Sequence, residues 1–337
     1  MITRRATLAA TATMLAAPYV RAQSARVVRF ASVGGFTDAP LYIAQANGYF
    51  AAAGLDVRMQ RLASAPELLT ATVTSQVDAS GISITPGLFA AVGRGLKLAL
   101  VGDKNSIRPG FSATRLILRP AMIKADEAQT VHGLAGRRIA LSARPSSVTM
   151  LMEDLLHKHG MALSDVQLVE LPYPNMMPGL ASGAVDGAID LEPFMTAAIR
   201  AGLARDVCDF SEFTPATGGS IVPLVFSETF KADRARAQDF MNCFVRGARV
   251  YNDAFAHNKD REHVIAIIAK GADRDPALVR DSFPAGLDPD QHLDRSFVER
   301  LQQFFVRQKM LAQPIDVDRI IDPSFAAAAV AALGPYH

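Results

Sequence analysis

Hydrophobic positions follow two rhythms along this chain. Up to about residue 225, short runs that are wholly apolar or apolar at every second position alternate with stretches in which apolar residues recur every three or four. VVRFASVGG (27–35) reads as a strand entering a Gly-rich turn. Pro40 fits a first helical turn at no hydrogen-bond cost, and Leu41, Ile43, Ala44, Tyr49 and Phe50 give the next segment its apolar face. Gly54 closes that helix, and LDVRMQRL (55–62) alternates as a second strand. The phrase then repeats: helix over 66–76, strand over 77–83, helix over 85–95 stopping at Gly95, strand over 96–102. Such alternation predicts a mostly parallel sheet covered on both faces.

A second unit starts near Ala113. SATRLILRP and RRIALSA read as strands, SSVTMLMEDLLHKHG (146–160) as a helix ending at Gly160, VQLVELP as a strand, MMPGLASG as a short helix, and VDGAIDLEP as a strand running into a loop. Past Ser227 the pattern changes to helices at 231–258, 263–271, 296–310 and 324–334 with few strands between, a tail suited to packing on the first unit. The predicted boundaries are 1–25 for a leader and its flank, 26–112 for the first part of lobe 1, 113–225 for lobe 2, and 226–337 for a helical return completing lobe 1. Two α/β lobes imply a cleft at the strand C-terminal ends and helix N-termini, where backbone N–H groups are available.

The first residues add a compartment. Arg4 and Arg5, an apolar run over 8–17 and small residues around Ala22 form the three parts of a secretory signal, too short to span a bilayer; the paired arginines also suit the twin-Arg export route. The whole chain carries a formal charge of +2, but without Arg4, Arg5 and Arg21 it holds 32 basic against 33 acidic residues, so nothing electrostatic points to nucleic acid. Cys208 and Cys243 are too few for a disulfide scaffold and read as two separate thiols, with a bridge the alternative. Roughly 315 residues remain, more than one core usually serves.

Pro40-Leu41-Tyr42-Ile43-Ala44, Asn47-Gly48-Tyr49-Phe50 and Gly54-Leu55-Asp56-Val57, followed by GLAGRRIAL (133–141) and MMPGLASG with VDGAIDLEPF (185–194), occur in the order and spacing of a known family. The chain resembles periplasmic solute-binding proteins for ABC importers of the nitrate, sulfonate, taurine and thiamine-precursor group. The resemblance implies a type II periplasmic-binding-protein fold, two α/β lobes joined by a hinge. It also implies a periplasmic monomer, without cofactor, that captures a small organic solute between the lobes and delivers it to an ABC permease in the inner membrane. A ligand-sensing protein presenting its solute to a receptor is the alternative; an enzyme like thiamine-pyrimidine synthases, which share the fold, is a third reading.

Candidate contacts follow from loop chemistry and family position together. Gly34-Gly35 permit a tight turn with exposed N–H groups, and the resemblance assigns Phe36 and Thr37 to the cleft; Asp38 caps the next helix or meets the ligand. Tyr42 divides between core and cleft wall, and Thr85 between helix cap and donor. Ser146 and Ser147, at a helix start, can cap it or bind an anion with the first-turn N–H groups, and Arg144 beside them either neutralises an anionic ligand or holds helix and loop in place with its charge in water. Asn175 can donate and accept, Met176 offers adaptable apolar surface, Glu192 binds an amine or backbone donors, and Thr217 sits in a Gly-rich loop that serves as a hinge or is an inert connection. Phe36, Tyr42, Tyr173, Met176, Met177 and Phe194 near these crossings favour an organic ligand with a planar or apolar part.

No nucleotide, zinc-protease or serine-hydrolase motif appears, and His157 and His159, two apart on one helix, face different ways, so no metal site is expected. The leader makes the first prediction: intact-mass measurement of protein from the periplasmic fraction should show a chain cut near Ala22, and a soluble cytoplasmic protein retaining residues 1–22 would remove the importer expectation.

Overall fold

The alternating segment Arg26–Ser32 (β1) pairs in parallel with Leu55–Arg61 (β2), Arg26 opposite Leu55 and Ser32 opposite Arg61. The computed structural model describes residues 25–337, so the expected leader cut at Ala22 lies outside the described residues. Ala79–Gly81 (β3), Leu98–Ile107 (β4), Thr114–Leu118 (β5), Arg138–Leu141 (β6), Gln167–Glu170 (β7), Gly187–Leu191 (β8), Arg205–Cys208 (β9) and Gly219–Ser227 (β10) complete two five-stranded sheets. Their orders are β2-β1-β3-β10-β4 and β7-β6-β8-β5-β9. The architecture is α/β with two sheets, as in a type II periplasmic-binding-protein fold.

Each sheet is parallel except for one strand. β10 runs against β3 and β4, and β5 against β8 and β9. The reason is geometric. The parallel strands of both sheets end at the cleft, so a strand that enters a lobe from the cleft must run the other way. β5 is the first strand after the chain leaves β4, and β10 the first after it leaves β9. The return crossing therefore falls at 209–218, and β10 joins the first sheet ahead of the boundary expected at 225.

The tail is helical as its periodicity predicts, with Arg234–His257, Arg261–Ala272, Arg295–Arg307 and Ser324–Leu333 as its longer helices. Helix Arg234–His257 lays Phe240 and Phe244 against the first sheet, where Phe30, Phe50, Phe226, Phe230 and Phe325 complete an aromatic core; Phe226 and Phe230 meet edge to face at 4.8 Å. Such pairs add about 0.5–1.5 kcal/mol to their burial. Cys243 is buried in this helix, Cys208 is half-buried in β9, and both are free thiols.

The tail also joins the lobes. One apolar cluster runs from Leu88 and Phe89 through Leu301 and Phe304 to Leu151 and Leu155 of the second lobe. Arg300 pairs with Asp154, and Arg200 of the second lobe pairs with Asp281 and donates to Ala277 O at 3.0 Å.

Helix Arg234–His257 crosses helix Ala39–Ala46 at Gly247, where an added Cβ would stand 2.1 Å from the Pro40 carbonyl oxygen. Gly247→Ala should therefore push the two helices apart and lower the unfolding free energy by about 1–3 kcal/mol. Denaturant titration checks it against Gly93→Ala, whose Cβ would meet only Ile315 at 3.6 Å and should change little.

Candidate functional site

After β1 the chain turns through Gly34 and Gly35 into a single 3-10 turn, Phe36–Asp38, ahead of helix Ala39–Ala46. The two glycines hold φ of +83° and +113°, and a Cβ at Gly35 would stand 3.0 Å from the Glu192 carbonyl oxygen. Only glycine takes such angles freely, so the turn can bring the first lobe's backbone against the second. Beside it lies a cavity of about 340 Å³ between the lobes. The first lobe lines it with Thr37, Arg61, Ser64, Gly81, Ser83, Lys104, Asn105 and Ile221, the second with Thr114, Ser142, Ser146, Ser147, Tyr173 and Phe194.

Three helices of nine or more residues begin at this wall: Ala65–Val73, Ser147–Lys158 and Tyr173–Ser182. Their first-turn N–H groups carry partial positive charge. Ser64 caps the first by accepting from Glu67 N at 3.4 Å. At the second, Ser146 N donates to Thr149 Oγ1 at 3.1 Å, and the N–H groups of Ser147 and Val148 find no acceptor among the described residues. Ser147 Oγ donates across the cleft to Ile221 O at 3.2 Å, so this side chain ties the lobes together at the wall. Tyr173 and Phe194 stack at 6.3 Å with planes 7° apart, giving one flat apolar side.

The floor comes from β4, where Asp103, Lys104, Asn105 and Ser106 are all buried. Lys104 Nζ lies 2.7 Å from Asp38 Oδ1 and donates to Thr37 Oγ1 at 3.0 Å, while Ser32 Oγ donates to Asp38 Oδ2 at 2.7 Å. Asp38 is thus an ion-pair partner and makes no side-chain cap to its helix. The lysine stem crosses Gly81, whose Cβ would stand 2.1 Å from Lys104 Cδ. Asn105, 2% exposed, brings Nδ2 to 3.5 Å from Thr114 Oγ1 and leaves Oδ1 without a partner. Asp103 is structural: Ser106 Oγ, Ser220 Oγ and Asp288 N donate to it, while burial pushes its carboxyl up to about 6.

Of the residues expected at the cleft, Thr37, Ser146 and Ser147 line the cavity together with Tyr173 and Phe194. Phe36 and Tyr42 pack behind it with Leu191 and Val264. Thr85 caps its helix position without a side-chain bond, and Arg144 is exposed with Nη1 on Leu168 O at 3.1 Å. Asn175 is exposed and Met176 lies in the second lobe's core, one turn beyond Tyr173. Thr217 is exposed at the return crossing, 3.4 Å from Asp294 Oδ2. Glu192 is wholly buried: it accepts from Thr196 Oγ1 at 2.7 Å, Thr196 N at 3.2 Å and Phe283 N at 3.0 Å, which fastens the second lobe to the tail. Sequence reading missed Arg61, Lys104 and Asn105. The signal was there for the last two, four polar residues inside the otherwise apolar run LALVGDKNSI.

A family model described as NMT1/THI5 like matches residues 36–259. The alkanesulfonate-binding protein SsuA from Xanthomonas axonopodis pv. citri, bound to MOPS, superposes with a TM-score of 0.66 at 21% identity, over 90% of this chain and 97% of that one. The periplasmic nitrate-binding protein NrtA from Synechocystis PCC 6803 gives 0.73 at 14% identity over 91% and 89%. The desulfurization enzyme DSZB gives 0.63 at 18% over 91% and 99%. No curated protein matches the chain. At these identities the likeness is one of fold, and the same fold carries binders and an enzyme, so function has to be argued from the cavity.

Asp190, at the end of β8, yields a pH prediction. Burial, reinforced by the neighbouring Glu192 charge and opposed by a bond from Leu191 N, pushes its carboxyl up to about 8, and its Oδ2 has no partner. The folded protein therefore keeps this proton where the unfolded chain has lost it, and stability falls as pH rises from the usual carboxylate value to about 8. Asp190→Asn should remove that slope. In melting scans the variant should match wild type near pH 4 and gain on it steadily toward pH 8; parallel curves would show that Asp190 titrates normally.

Proposed function

The chain belongs to the NMT1/THI5-like family, and on that premise we propose that it is the periplasmic solute-binding component of an ABC importer. It captures a small organic solute between its lobes and hands it to a permease in the inner membrane. The observation that carries this reading is the cavity itself. Its wall combines serine and threonine hydroxyls, open first-turn N–H groups and a stacked aromatic pair, and the residues lining it include no cysteine, histidine, aspartate or glutamate. That is a set of groups for holding a molecule. A serine or threonine hydroxyl attacks only beside a general base, and the lining holds no histidine or carboxylate to act as one. The volume of about 340 Å³ suits an organic molecule in the usual range of small-ligand pockets, roughly 300–1,000 Å³.

Lobe closure in this reading uses contacts remote from the solute as well as contacts at it. Glu192 with Phe283 N, and Arg300 with Asp154, join the second lobe to the tail away from the cavity lining. Ser147 with Ile221 O joins the two lobes at the cavity wall. Binding then completes a surface that the protein already brings together.

Protein purified from the periplasm should release a solute identifiable by mass spectrometry, and that solute should be recovered unaltered after prolonged incubation with fresh protein; steady chemical conversion would replace the transport reading with an enzymatic one. In calorimetric titration with the released solute, Ser146→Ala should weaken binding by about 1–3 kcal/mol if it leaves a buried ligand oxygen unpaired. Ser147→Ala should weaken it as well, by removing a bond that holds the lobes closed. Wild-type affinity in both variants, after melting scans confirm the fold, would leave the two serines as helix-start residues only.

A further inference from the structure

Two cations reach the cavity, and they differ in what surrounds them. Lys104 is buried and its charge is balanced by Asp38 at 2.7 Å. Arg61 stands at the rim, the last residue of β2, and lines both the cavity and the smaller opening bounded by Gly34, Phe194 and Arg274. No carboxylate among the described residues ion-pairs with it. Its Nη2 reaches Ala272 O at 3.3 Å, the phenol of Tyr42 lies beside the guanidinium, and its Nε would stand 2.8 Å from a Cβ on Gly34. The side chain is therefore held in place by neutral groups while its charge stays uncompensated.

Resting on the reading of this cleft as a solute site, we propose that Arg61 is its charge-selecting residue and that the cavity takes a monoanionic acid with a flat apolar body. The count is direct: one positive charge without a partner among the lining residues, one internally neutral pair, and no acidic group in the wall. A guanidinium binds a carboxylate or sulfonate through two parallel N–H groups. The flat body lies along Tyr173 and Phe194, which stack with nearly parallel rings. The floor asks for one further polar group. Asn105 faces the cavity with a buried, unpartnered amide oxygen, and a hydroxyl or N–H on the acid would satisfy it.

The test titrates wild type, Arg61→Gln and Arg61→Lys by calorimetry with benzoate and benzenesulfonate as flat monoanions, phthalate as a dianion, benzamide as the uncharged counterpart of benzoate, and methanesulfonate as an anion without a flat body. Wild type should prefer the flat monoanions over benzamide and methanesulfonate by at least about tenfold. Arg61→Gln should lose roughly ten- to a hundredfold for the monoanions while leaving benzamide unchanged, and Arg61→Lys should restore part of the loss. Equal binding of benzoate and benzamide to wild type, preference for phthalate over benzoate, or wild-type monoanion affinity in folded Arg61→Gln would each overturn the proposal. If no probe binds but a solute is released from purified protein, its charge decides: a flat monoanion supports the proposal, and a neutral, cationic or dianionic solute overturns it while the binding reading stands. If no probe binds and no solute is released, the binding reading fails and the proposal with it.

Discussion

A lysine stem lying across a glycine determines the floor of the cleft. Lys104 reaches from β4 over Gly81 in β3 to meet Asp38 and Thr37 in the turn after β1. Any side chain at Gly81 would occupy its path. The pair is almost wholly buried, and a buried ion pair is weak evidence for stability because desolvating both charges offsets their attraction. Breaking it is another matter, since the charge left behind costs about 3–5 kcal/mol. The interaction thus acts mainly as a constraint. It locks the Phe36–Asp38 turn onto the sheet and cancels the lysine's charge, which leaves Arg61 to set the polarity of the cavity.

From that turn the constraint passes to the second lobe. Gly34 and Gly35 let the backbone approach the Glu192 carbonyl, while the Glu192 side chain is held by Thr196 and by Phe283 of the tail. On another flank the tail helix Arg295–Arg307 packs into the core shared by both lobes and pairs Arg300 with Asp154 on helix Ser147–Lys158, whose opposite end opens into the cavity. The helix whose first-turn N–H groups open into the cavity is therefore anchored by its middle to the tail. Any separation of the lobes has to exchange these carboxylate contacts for water as well as open the cavity.

Much of this architecture was legible along the chain because it rests on local periodicity. The alternation of strand and helix, the helix expected over 146–160 and found at Ser147–Lys158, and the helical tail follow from spacing that neighbouring residues impose on one another, whereas the single helix expected from Pro40 to Gly54 breaks at Gly48, whose left-handed φ of +70° separates Ala39–Ala46 from Tyr49–Ala52. The turn through Gly34-Gly35 and the helix start at Ser146-Ser147 were legible as local geometry, since glycine pairs and serine caps declare their backbone locally, but their place on the cleft wall came from the family resemblance. The loop expected at Asn175 and Met176, ahead of a helix over 176–183, is instead the first turn of helix Tyr173–Ser182, so both the helix start and its rotation differ from the reading. Rotation depends on which face the sheet covers, and here Met176 turns into the core while Tyr173 faces the cavity.

The sequence by itself determined that this chain builds two α/β units with a helical return, and through its PLYIA, GLAGRRIAL and VDGAIDLEPF segments it determined the family. The tertiary structure alone decided which charges count. Asp38 lies sixty-six positions from Lys104, and Glu192 ninety-one from Phe283; no periodicity links such pairs, because their proximity arises only when sheets close and the tail folds back. Whether a polar residue is a ligand contact, a latch or a satisfied core group depends on what neutralises it. Lys104 is balanced by Asp38, Glu192 is hydrogen-bonded by Thr196 and by the Phe283 N–H, and Arg61 meets only neutral groups.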